Sequence, residues 1–328
     1  MENNKQGTFY IVSWEVPLLA AAMALSCTVC VSAAEDETIK LTVWGAEEDQ
    51  DLLKELTDKF QEKYADQKFD IQIGVESEST TKDTILTDVE AGADVYAFAD
   101  DQLTDLVKAG ALLKLDDYAE ALQLADTTLD DVKAANVEGA IDAASWDSLL
   151  EAADKAGKKV GMTLASGNLV ACVSGTWDAI TAQDVFGDGY AATKLPTFTV
   201  GDKQVQQGSV AGYKYVGVNG YSENSGWAVL LAEYLTNEES QQMFFDQRES
   251  GPSNKNVAAS DSVQENVALA ALAAQSEYAQ AQKVGGKYWD PAKTFGELIA
   301  QGTLSADDDN AIQEALDNLV EGATASVE

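Results

Sequence analysis

The sequence contains no histidine, and only 21 of its 328 residues are lysine or arginine. Without an imidazole there is no histidine triad, no histidine general base and no histidine metal ligand. Against 56 aspartates and glutamates the few basic residues leave a formal net charge of −35. Binding to nucleic acid needs clustered Lys and Arg, so that partner is excluded, and anionic lipid surfaces are disfavoured on the same ground. The charge otherwise serves solubility. Cysteine is scarce: Cys27, Cys30 and Cys172. The first two form a CxxC, but inside an apolar segment with no βαβ pattern around it, which is poor context for redox or zinc chemistry. Cys172 reads as a small core residue. No phosphate loop, nucleotide fingerprint or metal-ligand cluster is present, and no cofactor is expected. The run Asp307-Asp308-Asp309-Asn310 lacks the glycine and distal glutamate of a calcium loop and reads as a helix cap.

The uncharged stretch from Val16 to Ala34 is rich in alanine and serine, and Val31-Ser32-Ala33 fits a small-x-small cleavage site. Residues 1–34 therefore read as an export signal, cut near Ala33 or Ala34. Cys27-Thr28-Val29-Cys30 is also compatible with a degenerate lipoprotein box acylated at Cys30. Either way the protein is expected outside the cytoplasm, secreted or lipid-anchored.

After the signal, strand and helix patterns alternate. Ile39, Leu41 and Val43 alternate with polar residues; Leu52, Leu53, Leu56, Phe60 and Tyr64 follow at helical spacing. Phe69, Ile71, Ile73 and Val75 read as a second strand, 80–91 as a helix, and Val95–Phe98 as a third strand. Leu103, Leu106 and Val107 share a helix face that Gly110 ends. This alternation indicates a parallel sheet covered by helices. Farther on, 146–155 reads as a helix; 158–165, 168–177 and 213–218 read as strands, and 190–198 as a strand entering a crossover. Trp227–Leu235 is an apolar helix, and the chain from Asp261 onward is mainly helical.

In open α/β sheets ligands bind beyond the carboxyl ends of the strands. Two such ends are polar here: Trp44-Gly45-Ala46-Glu47-Glu48-Asp49 and Phe98-Ala99-Asp100-Asp101-Gln102. Asp100 reads as a cap for the next helix. Phe98 and Asp101 are open between core or cap duty and a ligand.

Three stretches together resemble the family 1 extracellular solute-binding proteins, the maltodextrin-binding type that feeds ABC importers. They are LTVWG with the helix that follows, GADVYAFADDQLTDLVKAGALLKLDDY, and the series from VACVSGTWDAI through YAATKLPTF and GSVAGYKYVGVN to GPSNKNV, with KYWDP beyond. The resemblance implies an α/β, two-lobe periplasmic-binding-protein-like fold closing over a sugar. It assigns residues 35–145 and 208–260 to the first lobe, and 146–207 and 261–328 to the second. It implies stacking by Trp177 and Trp289, a cleft aromatic at Phe98 and a cleft carboxylate at Asp101. Gln102 stands where some relatives carry a basic residue. Asp290 and Lys293 share the turn of Trp289, and Glu47, Glu48 and Asp49 correspond loosely to a polar loop. The implied partners are a sugar or oligosaccharide and the membrane permease subunits of the importer, met by a monomer that performs no chemistry. A pyranose offers an apolar C–H face to an aromatic ring and hydroxyls to carboxylates, so the residue types suit the ligand.

The sequence departs from that pattern after AIDAAS (140–145) and after TLASG (163–167), where segments of the second lobe are expected and absent. Two internal deletions are inferred, and with them exposed apolar faces. A deletion derivative with little ligand binding is thus an alternative. A glycoside hydrolase using a carboxylate pair such as Glu47 and Asp101 is the rival from another class, although nothing singles out that pair.

Overall fold

The computed structural model describes residues 38–115, 151, 155, 159–161, 169–281, 288–305 and 307–324. The proposed signal, both deletion points and most of the 146–155 helix lie outside them.

A four-stranded sheet organises the first part of the chain: β1 (Ile39–Gly45), β2 (Phe69–Val75), β3 (Val95–Ala99) and β9 (Lys214–Val218). Its order is β2-β1-β3-β9. The first three strands are parallel, but β9 runs antiparallel to β3, from Val95↔Val218 to Ala99↔Lys214. The all-parallel expectation is corrected there: β9 arrives from a distant segment and enters the sheet from the rim where the other strands end.

Alternation sends side chains to two cores. Leu41, Val43 and Val95 face one side, where Leu52, Leu56 and Phe60 of α1 (Gln50–Lys63) cover them. The same layer receives Val229, Leu231 and Leu235 of α5 (Ser225–Thr236). Each such side chain, fully buried, stabilises the fold by roughly 1.5–3 kcal/mol before entropy is counted. On the opposite face Tyr96 and Phe98 pack with Ile85, Leu106 and Ala111. Ile85 ends α2 (Thr81–Ile85), and Leu106 lies in α3 (Leu103–Lys108). The 80–91 helix thus stops early. The Asp88 carboxylate accepts from the N–H groups of Glu90 and Ala91, which competes with continuing the helix. Gly110 does end α3, at φ 68°, with Gly110 N–H donating to Val107 O and Ala111 N–H to Leu106 O.

The remaining strands form pairs. β4 (Lys159–Gly161) runs parallel to β5 (Leu169–Cys172). The 168–177 strand is therefore shorter than its sequence suggested, because Thr176–Asp178 turns as a 3-10 helix into α4 (Ala179–Phe186). β6 (Thr197–Val200) and β7 (Lys203–Gln206) make a hairpin rather than a crossover. β8 (Ser209–Ala211) lies parallel to β10 (Ala279–Ala281), just before the chain enters β9.

After α5 come α6 (Glu238–Arg248), α7 (Lys255–Ala258), α8 (Asp261–Gln264) and α9 (Val267–Ser276). The chain closes with α10 (Trp289–Ala300) packed on α11 (Asp309–Thr324). Asp308 caps α11 through the Ala311 N–H, at 3.0 Å. Among the described residues no helix is long and apolar enough to cross a membrane.

Candidate functional site

The carboxyl ends of β1, β2 and β3 and the start of β9 form one rim. After β1, Glu47–Asp49 is a 3-10 turn that leaves Glu47 and Glu48 exposed. After β3, Asp100–Gln102 is a second such turn. Its member Asp101 accepts a hydrogen bond from the indole Nε1–H of Trp289 at 2.9 Å. Trp289 is the first residue of α10, 48% exposed, and its ring meets Tyr288 edge-on with centroids 5.3 Å apart. Asp290 and Lys293 are exposed on the same helix. An aromatic face and a carboxylate, distant in sequence, thus stand together at the rim.

Trp177 is 81% exposed in the 3-10 turn before α4. Its ring lies back over Gly175, where a Cβ would come within 2.1 Å of the indole. The turn is closed by Asp178 N–H to Gly175 O and by the Ser174 hydroxyl to the Asp178 carboxylate.

Three other candidates are placed differently. Phe98 is 2% exposed, locked between Tyr96 and Tyr215, with ring centroids 6.0 and 5.6 Å away. Its ring has no face free for a ligand, so it is a core residue. Gln102 is 3% exposed, and its amide is consumed locally. It accepts from Lys82 N–H and donates to the carbonyls of Glu78 and Ser79, so it ties the loop after β2 to the turn after β3. Asp49 is 6% exposed and sits between Lys214 Nζ at 3.1 Å and Arg248 Nε at 3.2 Å. Both its oxygens are engaged, which makes it a bracing group.

Asp100 does not cap the helix; no side-chain cap bond forms there. Its N–H donates to Tyr213 O at 3.0 Å, and its carboxyl lies against Gly212. Burial, with the neighbouring Asp101 charge, pushes its pKa up to about 6. Burial and then Asp100 raise the Tyr213 phenol as well, and Tyr215 is pushed up to about 12 chiefly by burial. Sequence reasoning missed Glu78, Lys214 and Arg248. Lys214 bridges Asp49 and Glu78, the latter at 2.9 Å, but these contacts join segments far apart in the chain. Among the described residues no group of three or more acidic or cysteine side chains could hold a metal.

Comparisons with known proteins bear on this arrangement. Residues 157–271 match the family described as bacterial extracellular solute-binding protein. No curated protein matches the chain by sequence. A protein solved with acarbose is 25% identical, with 88% of this chain and 99% of that one covered and a TM-score of 0.64. Maltodextrin binding protein MalE1 from L. casei BL23 is 17% identical, with 89% and 100% covered and a TM-score of 0.66. A cyclo/maltodextrin-binding protein complexed with maltotetraose is 16% identical, with 90% and 100% covered and a TM-score of 0.64. The chain therefore has the α/β, two-lobe periplasmic-binding-protein-like fold, and over residues 157–271 it resembles the bacterial extracellular solute-binding proteins in sequence.

Proposed function

We propose that this protein binds a neutral oligosaccharide of the maltodextrin class outside the cytoplasm and presents it to the membrane subunits of an ABC importer. The observation that carries this reading is the joining of Trp289 and Asp101 at the strand rim. An exposed indole tethered at its ring nitrogen offers a stacking face to a pyranose ring, and exposed carboxylates around it can accept from the ring's hydroxyls. Trp177 offers a second exposed indole. Glu47, Glu48, Asp290 and Lys293 are exposed polar groups available at the margins. The acidic surface disfavours an anionic solute. The proteins solved with acarbose and with maltotetraose support the ligand class.

The protein acts by binding alone. On this reading segments 35–145 and 208–260 belong to one lobe and 146–207 and 261–328 to the other, and the pairing of β8 with β10, one strand from each set, supports a crossing between them. Closure of the lobes on the sugar is the state that the permease senses.

The test is a thermal melt of residues 35–328 with and without maltose, maltotriose and maltotetraose. A ligand at about a hundred times its dissociation constant adds roughly 2.7 kcal/mol to the folded state and raises the midpoint. A sharp transition that no oligosaccharide moves would overturn the reading. A second reading, a deletion derivative with a reduced second lobe, is favoured by one observation. The α10–α11 pair leaves Ile299, Leu316 and Val320 exposed at 53%, 38% and 57%. That reading expects a broad melt, indifferent to sugar.

A further inference from the structure

We propose that Asp101 is the positioning residue for Trp289: its carboxylate holds the indole by the ring nitrogen and, together with the Tyr288 ring packed against it, fixes the plane of the stacking face. The proposal rests on the sugar-binding reading above and specifies how its site is built. It differs from the role that the resemblance implies for Asp101, which is direct capture of sugar hydroxyls.

The argument begins with what an indole can do. Trp has a single polar atom, a donor, and no acceptor. Trp289 uses it on Asp101 Oδ2, at 2.9 Å. A hydrogen bond at one edge of the ring limits its rotation but does not fix its plane; a second contact is needed. Tyr288 supplies that contact, meeting Trp289 at 72° with centroids 5.3 Å apart. Held at two places, the ring still shows 48% of its residue surface to solvent. A stacking surface that is both exposed and fixed loses little rotamer freedom when a ligand lands on it.

The acceptor is itself anchored. Asp101 lies in the 3-10 turn between β3 and α3, and the next residue, Gln102, is buried with its amide bonded to Lys82, Glu78 and Ser79. The turn is thereby bound to the loop after β2. On its other side Asp100 N–H is bonded to Tyr213 O. Asp101 projects from a braced turn, and Trp289 starts a helix that lies far away in sequence. The bond thus transfers the rigidity of the strand rim to a ring that α10 alone would leave free to change rotamer.

The experiment uses the full mature chain. The Trp289 indole N–H resonance is assigned by its loss in W289F. A carboxylate-bonded N–H lies downfield, so D101L is expected to move this resonance upfield while D101N, whose carbonyl oxygen can still accept, restores most of the shift. An indole resonance indifferent to D101L would overturn the proposal, whether or not any sugar binds. Affinity for maltotetraose then separates positioning from direct contact. D101L alone should weaken binding about tenfold, because a loosened indole must then be immobilised when sugar lands on it. In the W289F background D101L should cost nothing further. A further loss of about tenfold in that background would show Asp101 touching sugar directly and overturn the positioning role. Failure of the wild-type chain to bind any oligosaccharide would sink the functional reading, and the resonance would still decide whether Asp101 holds the indole.

Discussion

Lys214 and Asp49, 165 positions apart in the chain, meet at 3.1 Å beside the strand rim. Lys214 also reaches Glu78 at 2.9 Å, and Arg248 reaches Asp49 at 3.2 Å. The loops after β1 and β2, the start of β9 and the end of α6 are joined by these four charges. Burial works against the Lys214 charge, yet Asp49 and Glu78 outweigh it and hold the amine above its usual pKa. Removing one partner of a part-buried pair strands the other. Asp49→Ala is therefore expected to lower stability by about 2 kcal/mol, allowing for the exposure of Lys214. Urea denaturation measures it, and a loss below about 0.5 kcal/mol would reduce this network to an ordinary surface pair.

Asp100 carries the clearest pH signature. Its pKa rises from 3.8 to about 6 on folding, first because of burial and then because of Asp101. A carboxyl that holds its proton more tightly when folded stabilises the fold fully below its unfolded pKa. That contribution is lost as pH rises through the folded value. Asp100→Asn removes the carboxylate charge and should stabilise the protein at pH 7.5 by about 1 kcal/mol, after discounting for solvent. The advantage should shrink through pH 6 and vanish near pH 4. Melting midpoints of both proteins across that range give the answer, and a difference independent of pH would assign the effect to packing.

Phe98 and Trp177 should separate cleanly. Phe98 is enclosed by Tyr96, Tyr215 and Leu106. Phe98→Ala should cost about 3–4 kcal/mol through lost burial and a residual cavity. Trp177, 81% exposed, should cost less than about 0.5 kcal/mol when cut to alanine. If Phe98→Ala left the urea midpoint unchanged, the ring would not be part of the core.

Gln275 is a buried polar group where chain segments cross. Its carbonyl oxygen accepts from Leu195 N–H at 3.0 Å, and its amide donates to Gln207 O and the Ser209 hydroxyl, both at 3.1 Å. It therefore ties the end of α9 to both flanks of the β6–β7 hairpin and to β8. Gln275→Leu would remove these three bonds, for a loss of about 2 kcal/mol. Hydrogen exchange should show the added opening at Leu195 and Ser209. Unchanged exchange there would mean that β8 and β10 hold the crossing without help.

Local physics explains why much of this was legible. The alternation in Ile39–Gly45 and Phe69–Val75 gives the strands, the spacing of Leu52, Leu56 and Phe60 gives α1, and Gly110 ends α3 because it adopts positive φ. The two tryptophans and Asp101 stood out because large aromatics and acids in turns have little local reason to be there. What was not legible depends on chain return. Phe98 is buried because Tyr215 comes back beside it, and β9 is antiparallel because of the side from which it enters. Asp49 is occupied because Lys214 and Arg248 arrive from later segments. Residue type alone does not separate a carboxylate waiting for a ligand from one already paired.

Trp177 is held in place by an absent side chain. Its ring covers Gly175, and an added Cβ there would lie 2.1 Å from the indole. The obstacle is the far end of an exposed side chain, so an alanine can be relieved by swinging the ring away. The backbone does not require glycine either, since Gly175 has φ −105° and ψ 178°, an extended conformation open to any residue. Gly175→Ala should therefore leave the melting midpoint nearly unchanged and move the emission and acrylamide quenching of Trp177. If the indole is a stacking surface for sugar, maltotetraose affinity should fall about tenfold, comparable to the loss in Trp177→Ala. Wild-type affinity in both variants would show that this exposed ring is not part of the ligand site, and would leave Trp289 to carry the stacking.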